Sequence, residues 1–157
     1  MHPTASGDDQ RSPAIVDVSA LSDRLRRLIA GDGLIKLYGI EVEEASAEMA
    51  RVSATVQEQF LQVHGLAHGA FVFALLDVAF ALNVNAAHDA VAVQWSISQF
   101  RSGNLGECIT AESRLLHGGR RLMVVELKAS GRGGRLLAKG HATAIPVGES
   151  HPSGSRC

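Results

Sequence analysis

A His-Gly pair, His68-Gly69, stands where a polar stretch gives way to a long apolar one. Eight residues later a single carboxylate, Asp77, lies between Leu76 and Val78. Both features bear on acyl chemistry. The first N–H groups of a helix have no intrahelical partner and carry partial positive charge, which suits an anion or a developing oxyanion. Glycine at that point lets a ligand approach the backbone. A carboxylate inside an apolar helix is costly unless it is paired, so function is one reason for its presence. Each feature also has an ordinary explanation. His-Gly is a common dipeptide at a permissive helix start, and a buried aspartate is often held by a neighbouring polar group.

Spacing constrains how the two could cooperate. At a rise of ~1.5 Å per residue, Gly69 and Asp77 on one helix lie roughly 12 Å apart along its axis. One reacting carbon needs each group within about 3 Å. If both act together, the donor comes from one subunit and the carboxylate from the antiparallel helix of a second copy.

The elements that must position these residues are readable from periodicity. Residues 19–30 carry Leu21, Leu25, Leu28 and Ile29 at helical spacing; Ser19 or Ser22 can cap this helix and Gly31 can stop it. Ile40 and Val42, then Val52, Ala54 and Val56, alternate with polar residues and predict two strands. Residues 57–65 read as a loop. The run 67–87 has no proline and is apolar on nearly all faces, so it predicts a helix wrapped by other structure. Four strand-like segments follow, at 91–100, 107–116, 121–130 and 136–145, separated by RSGN, HGGR and GRGGR, whose short Gly-rich character favours antiparallel pairing. This order gives an α+β fold with one sheet curled around one helix. Such a sheet leaves strand edges exposed, which pairing with a second copy would remove. The folded domain is expected over 14–146, with disordered tails at 1–13 and 147–157, both rich in small polar and charged residues.

Composition narrows the function classes. A formal net charge of -1 gives no electrostatic footprint for nucleic acid. The apolar run contains Asp77, Asn83 and Asn85, which argues for a buried helix and against a membrane span. Two cysteines, Cys108 and Cys157, and the absence of a signal-peptide pattern point to a reducing, cytoplasmic compartment. His64 and His68 are four apart without a carboxylate at ligand spacing, so no metal site is expected. Arg101, Arg120 and Arg121 lie at strand ends and turns, where a guanidinium can grip phosphate; solvated turn charges are the plainer reading for any one of them. Phe71, Phe73 and Phe80 on the helix, with Trp95 and Phe100 on a strand, belong to the core unless some line a ligand pocket.

Taken together, Gln62-Val-His-Gly65-Leu-Ala-His68-Gly69-Ala70 followed by Asp77 resembles the Asn/Gln-x-x-Gly-x-x-His-Gly-Gly…Asp pattern of hotdog-fold thioesterases, in particular the phenylacetic-acid-degradation (PaaI-type) family. The likeness continues through AFALNVN, VQWSISQFRSGNLGE, HGGRRL and LLAKGHATAI, roughly residues 37–145. It implies a curved antiparallel sheet around one long central helix, dimerising by sheet pairing, and hydrolysis of an acyl-CoA, aryl or aryl-acetyl, to acid and free CoA. By the same resemblance the Gly69 N–H polarises the thioester carbonyl, and Gln62 orients substrate or water. Asp77 of the other subunit is nucleophile or general base, and His68 supports the helix start. Gly65, Ala70 and Phe80 border the substrate, and Arg101, Arg120 and Arg121 face the CoA phosphates. No cofactor is implied, since CoA is part of the substrate; a homodimer is required and a homotetramer expected. Ala70 replaces the second glycine of the pattern, and Gln62 stands where most PaaI-type members have Asn. The alternatives are a non-catalytic acyl-CoA-binding sensor with the same fold, which would bind CoA esters without releasing thiol, and a hotdog hydratase, which uses a different His and carboxylate arrangement.

Overall fold

The structure, a computed structural model, describes residues 16–148. The expected tail at 1–13 and most of the one at 147–157 lie outside the described residues; Val147 is still tied to Asp89 by a backbone hydrogen bond of 2.9 Å. The first helix, α1 (Asp23–Gly31), is capped by Ser22, whose hydroxyl accepts from the Leu25 N–H, and it buries Leu25. A second short helix follows at once, α2 (Gly33–Tyr38), which sequence periodicity did not anticipate. Asp32 starts it by accepting from the N–H groups of Leu34 and Ile35, a local capping signal; α1 itself ends at Gly31, the glycine read as its stop.

Strands β1 (Glu41–Ala45) and β2 (Met49–Thr55) form a hairpin. The central helix α3 (Gly69–Val84) comes next, then β3 (Ala90–Gln99), β4 (Cys108–Gly118), β5 (Met123–Ser130) and β6 (Leu136–Pro146). All pairings are antiparallel and the order is β1-β2-β4-β5-β6-β3. The short loop after β3 therefore does not close a hairpin: β4 pairs with β2 and β5, and β3 pairs with β6 at the far edge. Gly140 permits that last pairing. A Cβ there would lie 2.0 Å from the Ser96 carbonyl oxygen, so a side chain would push β3 away.

Alternation along β5 (Met123, Val125, Leu127, Ala129 buried) and the inward residues Val52, Ala54, Ile109 and Ala111 give the sheet one apolar face. Helix α3 fills it with Phe71, Val72, Leu75, Leu76, Val78 and Leu82, all at most 2 % exposed. One polar clamp fixes the helix. The buried Asn83 donates to the Ser46 carbonyl at 3.0 Å and accepts from the buried Ser113 hydroxyl at 3.0 Å, so its amide is satisfied on both sides.

Candidate active site

The loop before α3 is a small hairpin. Leu61 bridges Ala67, the His68 N–H donates to the Phe60 carbonyl, and the turn at 62–65 closes through Gly65 N–H to Gln62 C=O at 2.9 Å. Gly65 has φ +75°, which a larger residue adopts only with strain. The Gln62 amide oxygen accepts from the His64 N–H at 2.6 Å. Its side chain thus braces the turn in this conformation, with only its NH2 left to offer. Two further ties hold the loop against the segment after β3: Ala67 N–H to Gly103 C=O at 2.8 Å, and the bridge between Leu66 and Asn104.

His68 is the N-cap of α3. Its ring Nδ1 accepts from the Ala70 N–H at 3.2 Å, and its carbonyl accepts from the Phe71 N–H. Those bonds leave the Gly69 N–H without a partner among the described residues, at the positive end of a sixteen-residue helix. The chemistry available at that point is donation to an oxygen that gains negative charge. Gly69 does not have the positive φ that favours glycine. Instead, a Cβ there would sit 3.1 Å from the side-chain oxygen of Gln99, the last residue of β3. The close approach expected of a ligand is made first by this side chain.

Along α3 the residues that escape burial are Gly69, Ala70, Phe73, Asp77 and Ala81. They form one stripe, with Gly69 and Asp77 two turns apart on it. Partial burial raises the Asp77 carboxyl above its ordinary value, and the Asp32 carboxylate adds to the effect. No hydrogen bond reaches Asp77 among the described residues. Phe73 and Phe80 flank it on the helix, and Trp95 of β3 packs on both rings at 5.0 and 4.7 Å between centroids. Phe80 itself is buried. A second aromatic group, Tyr38, Phe60 and Phe71, with centroids 4.6 to 5.6 Å apart, walls a cavity of about 190 Å³ that His68 and Ala70 also line. Tyr38, Phe60 and Gln99 were not singled out from sequence. The only local signal for Gln99 is that it puts a polar residue in the register of Val91, Val93, Trp95 and Ile97.

The arginines are spread out. Arg120 and Arg121 are exposed beyond the end of β4, and Arg120 edges an apolar cavity of about 570 Å³ at the far end of α3. Arg101 is exposed and donates to the Leu136 carbonyl at 3.1 Å. The structure brings none of the three to Gly69 by a contact. Among the described residues no cluster of metal-ligating side chains occurs and no helix is long and apolar enough to cross a membrane.

A curled antiparallel sheet around one apolar helix also describes known proteins. Residues 64–138 match the family profile described as the thioesterase superfamily. The acyl-coenzyme A thioesterase PaaI of Escherichia coli K12 is 33% identical over 98 residues, 62% of this chain and 70% of that protein. The chain belongs to the thioesterase superfamily. Its sheet and helix are the hotdog fold, in the PaaI-type branch. The solved structure of the E. coli PaaI protein from the phenylacetic acid degradation operon superimposes with a TM-score of 0.77 at 27% identity, covering 80% of this chain and 91% of that one. A Streptococcus mutans UA159 protein solved bound to acetyl CoA has a TM-score of 0.67 at 27% identity, covering 71% and 91%. The matched region of this thioester hydrolase contains His68, Gly69, Asp77, Gln99 and the three arginines; Gln62 lies just before it.

Proposed function

We propose that this thioesterase hydrolyses acyl-CoA to a carboxylic acid and free CoA at a site shared between two subunits. The thioester oxygen takes a hydrogen bond from the Gly69 N–H of one subunit. The partner subunit's Asp77 acts on the carbonyl carbon, either directly, as a nucleophile that gives a mixed anhydride for water to open, or as the base that takes a proton from the attacking water. In both routes the CoA thiolate leaves; with Asp77 as base the water oxygen goes directly into the acid, and in the anhydride route water opens the anhydride and returns Asp77 to a carboxylate. His68 holds the helix start, and Gln62 and Gly65 hold the loop in front of it.

The observation that carries this reading is the exposed stripe of α3, which presents an unpaired N–H and an unbonded carboxylate two turns apart on an otherwise buried helix. Neither group has a use within one chain, and an antiparallel second copy brings one opposite the other. The free edge favours that copy. β3 is ten residues long and almost wholly exposed, with Val91 46 % and Val93 54 % accessible, and a long apolar edge strand invites pairing. Binding of acetyl CoA by a structural relative supports CoA as the carrier. An aryl or aryl-acetyl group is the proposed acyl part. The aromatic-walled cavity beside His68 and Ala70 is close in size to the ~150 Å³ apolar cavity that accommodates benzene. Arg120 and Arg121, with Arg101, are the proposed partners of the CoA phosphates.

Thiol release measured with Ellman's reagent tests the reading, using benzoyl-, phenylacetyl- and hexanoyl-CoA with wild type and Asp77→Ala. Release by wild type with a loss of at least ~10²-fold in the variant is expected. CoA esters that bind but release no thiol from either protein would make the domain a sensor instead.

A further inference from the structure

The geometry points to Gln99 as a second hydrogen-bond donor to the thioester oxygen, beside the Gly69 N–H. This rests on the reading of Gly69 as the oxyanion donor and extends it to a residue outside the His-Gly…Asp pattern. Three observations lead there. First, the Gln99 carboxamide lies against Gly69, its oxygen 3.1 Å and its nitrogen 3.8 Å from where a Cβ would be. Second, the contact is held from both sides. Gln99 is paired with Ala138 of β6, while Ala67 and Leu66 pin the start of α3 to Gly103 and Asn104, a few residues beyond Gln99. Third, the carboxamide is exposed and, among the described residues, makes no hydrogen bond, so its NH2 is available.

A single backbone N–H is a sparse oxyanion site; pairs of donors, often one backbone and one amide side chain, recur in acyl-transfer enzymes. The carboxamide can turn about its terminal torsion to present either N or O, and a carbonyl oxygen at Gly69 would draw the NH2 toward it. As the tetrahedral centre forms, the carbonyl oxygen gains charge and both hydrogen bonds strengthen. No bond to Gln99 forms or breaks. The inference also explains Gly69. Its φ does not demand glycine, but a Cβ there, 3.1 Å from the Gln99 side-chain oxygen, would press the amide out of its present position.

The test uses Gln99→Leu and Gln99→Glu in the full chain, with whichever of benzoyl-, phenylacetyl- or hexanoyl-CoA wild type turns over fastest, and Asp77→Ala alongside. Gln99→Leu is expected to lower kcat by about 10- to 100-fold with KM within about threefold, since the bond matters most in the transition state. Gln99→Glu is expected to be as poor at pH 8 and to recover relative to wild type as the pH falls, because a protonated carboxyl regains a donor and a carboxylate opposes the oxyanion. A merely structural role would not produce that pH profile. Gln99→Leu with wild-type kcat, while Asp77→Ala is inactive, overturns the role of Gln99 and leaves the two-subunit site standing. No turnover by wild type overturns both.

Discussion

Asp77 combines two properties that conflict. As the proposed base or nucleophile it has to be ionised, and partial burial makes that ionisation unfavourable. A carboxyl whose folded value is raised adds stability that is complete below its unfolded value and is lost as pH rises through the folded one. Neutralising it should therefore separate function from stability. Asp77→Asn is expected to be inactive at pH 7 yet to melt a few degrees higher than wild type, and the difference in melting temperature should disappear at acid pH, where wild type is protonated. Scanning calorimetry at both pH values at fixed protein concentration checks this. An Asn variant that melts lower at pH 7 would mean that the carboxylate has a structural partner. Activity should fall on the acid side of its pH profile, with an inflection above that of an ordinary aspartate.

At the scale of elements, the turn between β5 and β6 is locked to the start of β4 by Glu107. This side chain is 4 % exposed, and its oxygens accept from the N–H groups of Asn104 and Arg132 and from the Arg135 guanidinium. Burial alone would raise its carboxyl; these bonds overcome that and hold it at about 2. With the folded value below the unfolded one, the stabilisation is full above roughly pH 5 and is lost as pH falls toward 2. Glu107→Gln should cost about 3 kcal/mol at pH 7. The gap in urea midpoint between the two proteins should be markedly smaller at pH 3 than at pH 7, and a constant gap would refute the ionic account. None of this was readable in advance, because Glu107 becomes a brace only when a distant turn folds onto it. What could be read depended on local periodicity. The buried helix, the paired strands and the His-Gly…Asp set were legible because each is a pattern within one segment. The capping of α2 by Asp32, the placement of β3 beside β6 and the contact between Gln99 and Gly69 were not, since each joins groups whose nearness is decided by the fold. The strand order in particular runs against the short loop after β3, and Gly140, which permits the pairing of β3 with β6, has no local signature.

The whole molecule raises the question of how two incomplete sites become complete. In the proposed isologous dimer, each site would take Gly69 from one chain and Asp77 from the other, so the two defects should complement. Gly69→Pro is a suitable partner for Asp77→Ala. Proline is tolerated at the first helical position, where the lost N–H is the proposed donor itself. His68 already has the extended backbone, φ -62° and ψ 143°, that precedes proline comfortably. Each variant alone should be nearly inactive. In a mixed dimer the Asp77→Ala chain still offers its Gly69 N–H, and the Gly69→Pro chain still offers its carboxylate, so one of the two sites is intact. Random exchange of equal amounts makes half the dimers mixed, which predicts roughly a quarter of wild-type activity. Thiol release after co-refolding the two variants measures it, and sedimentation of each variant alone confirms that both still assemble. If each chain carried a complete site, mixing would restore nothing, and the two groups would have to act within one helix despite lying roughly 12 Å apart on it.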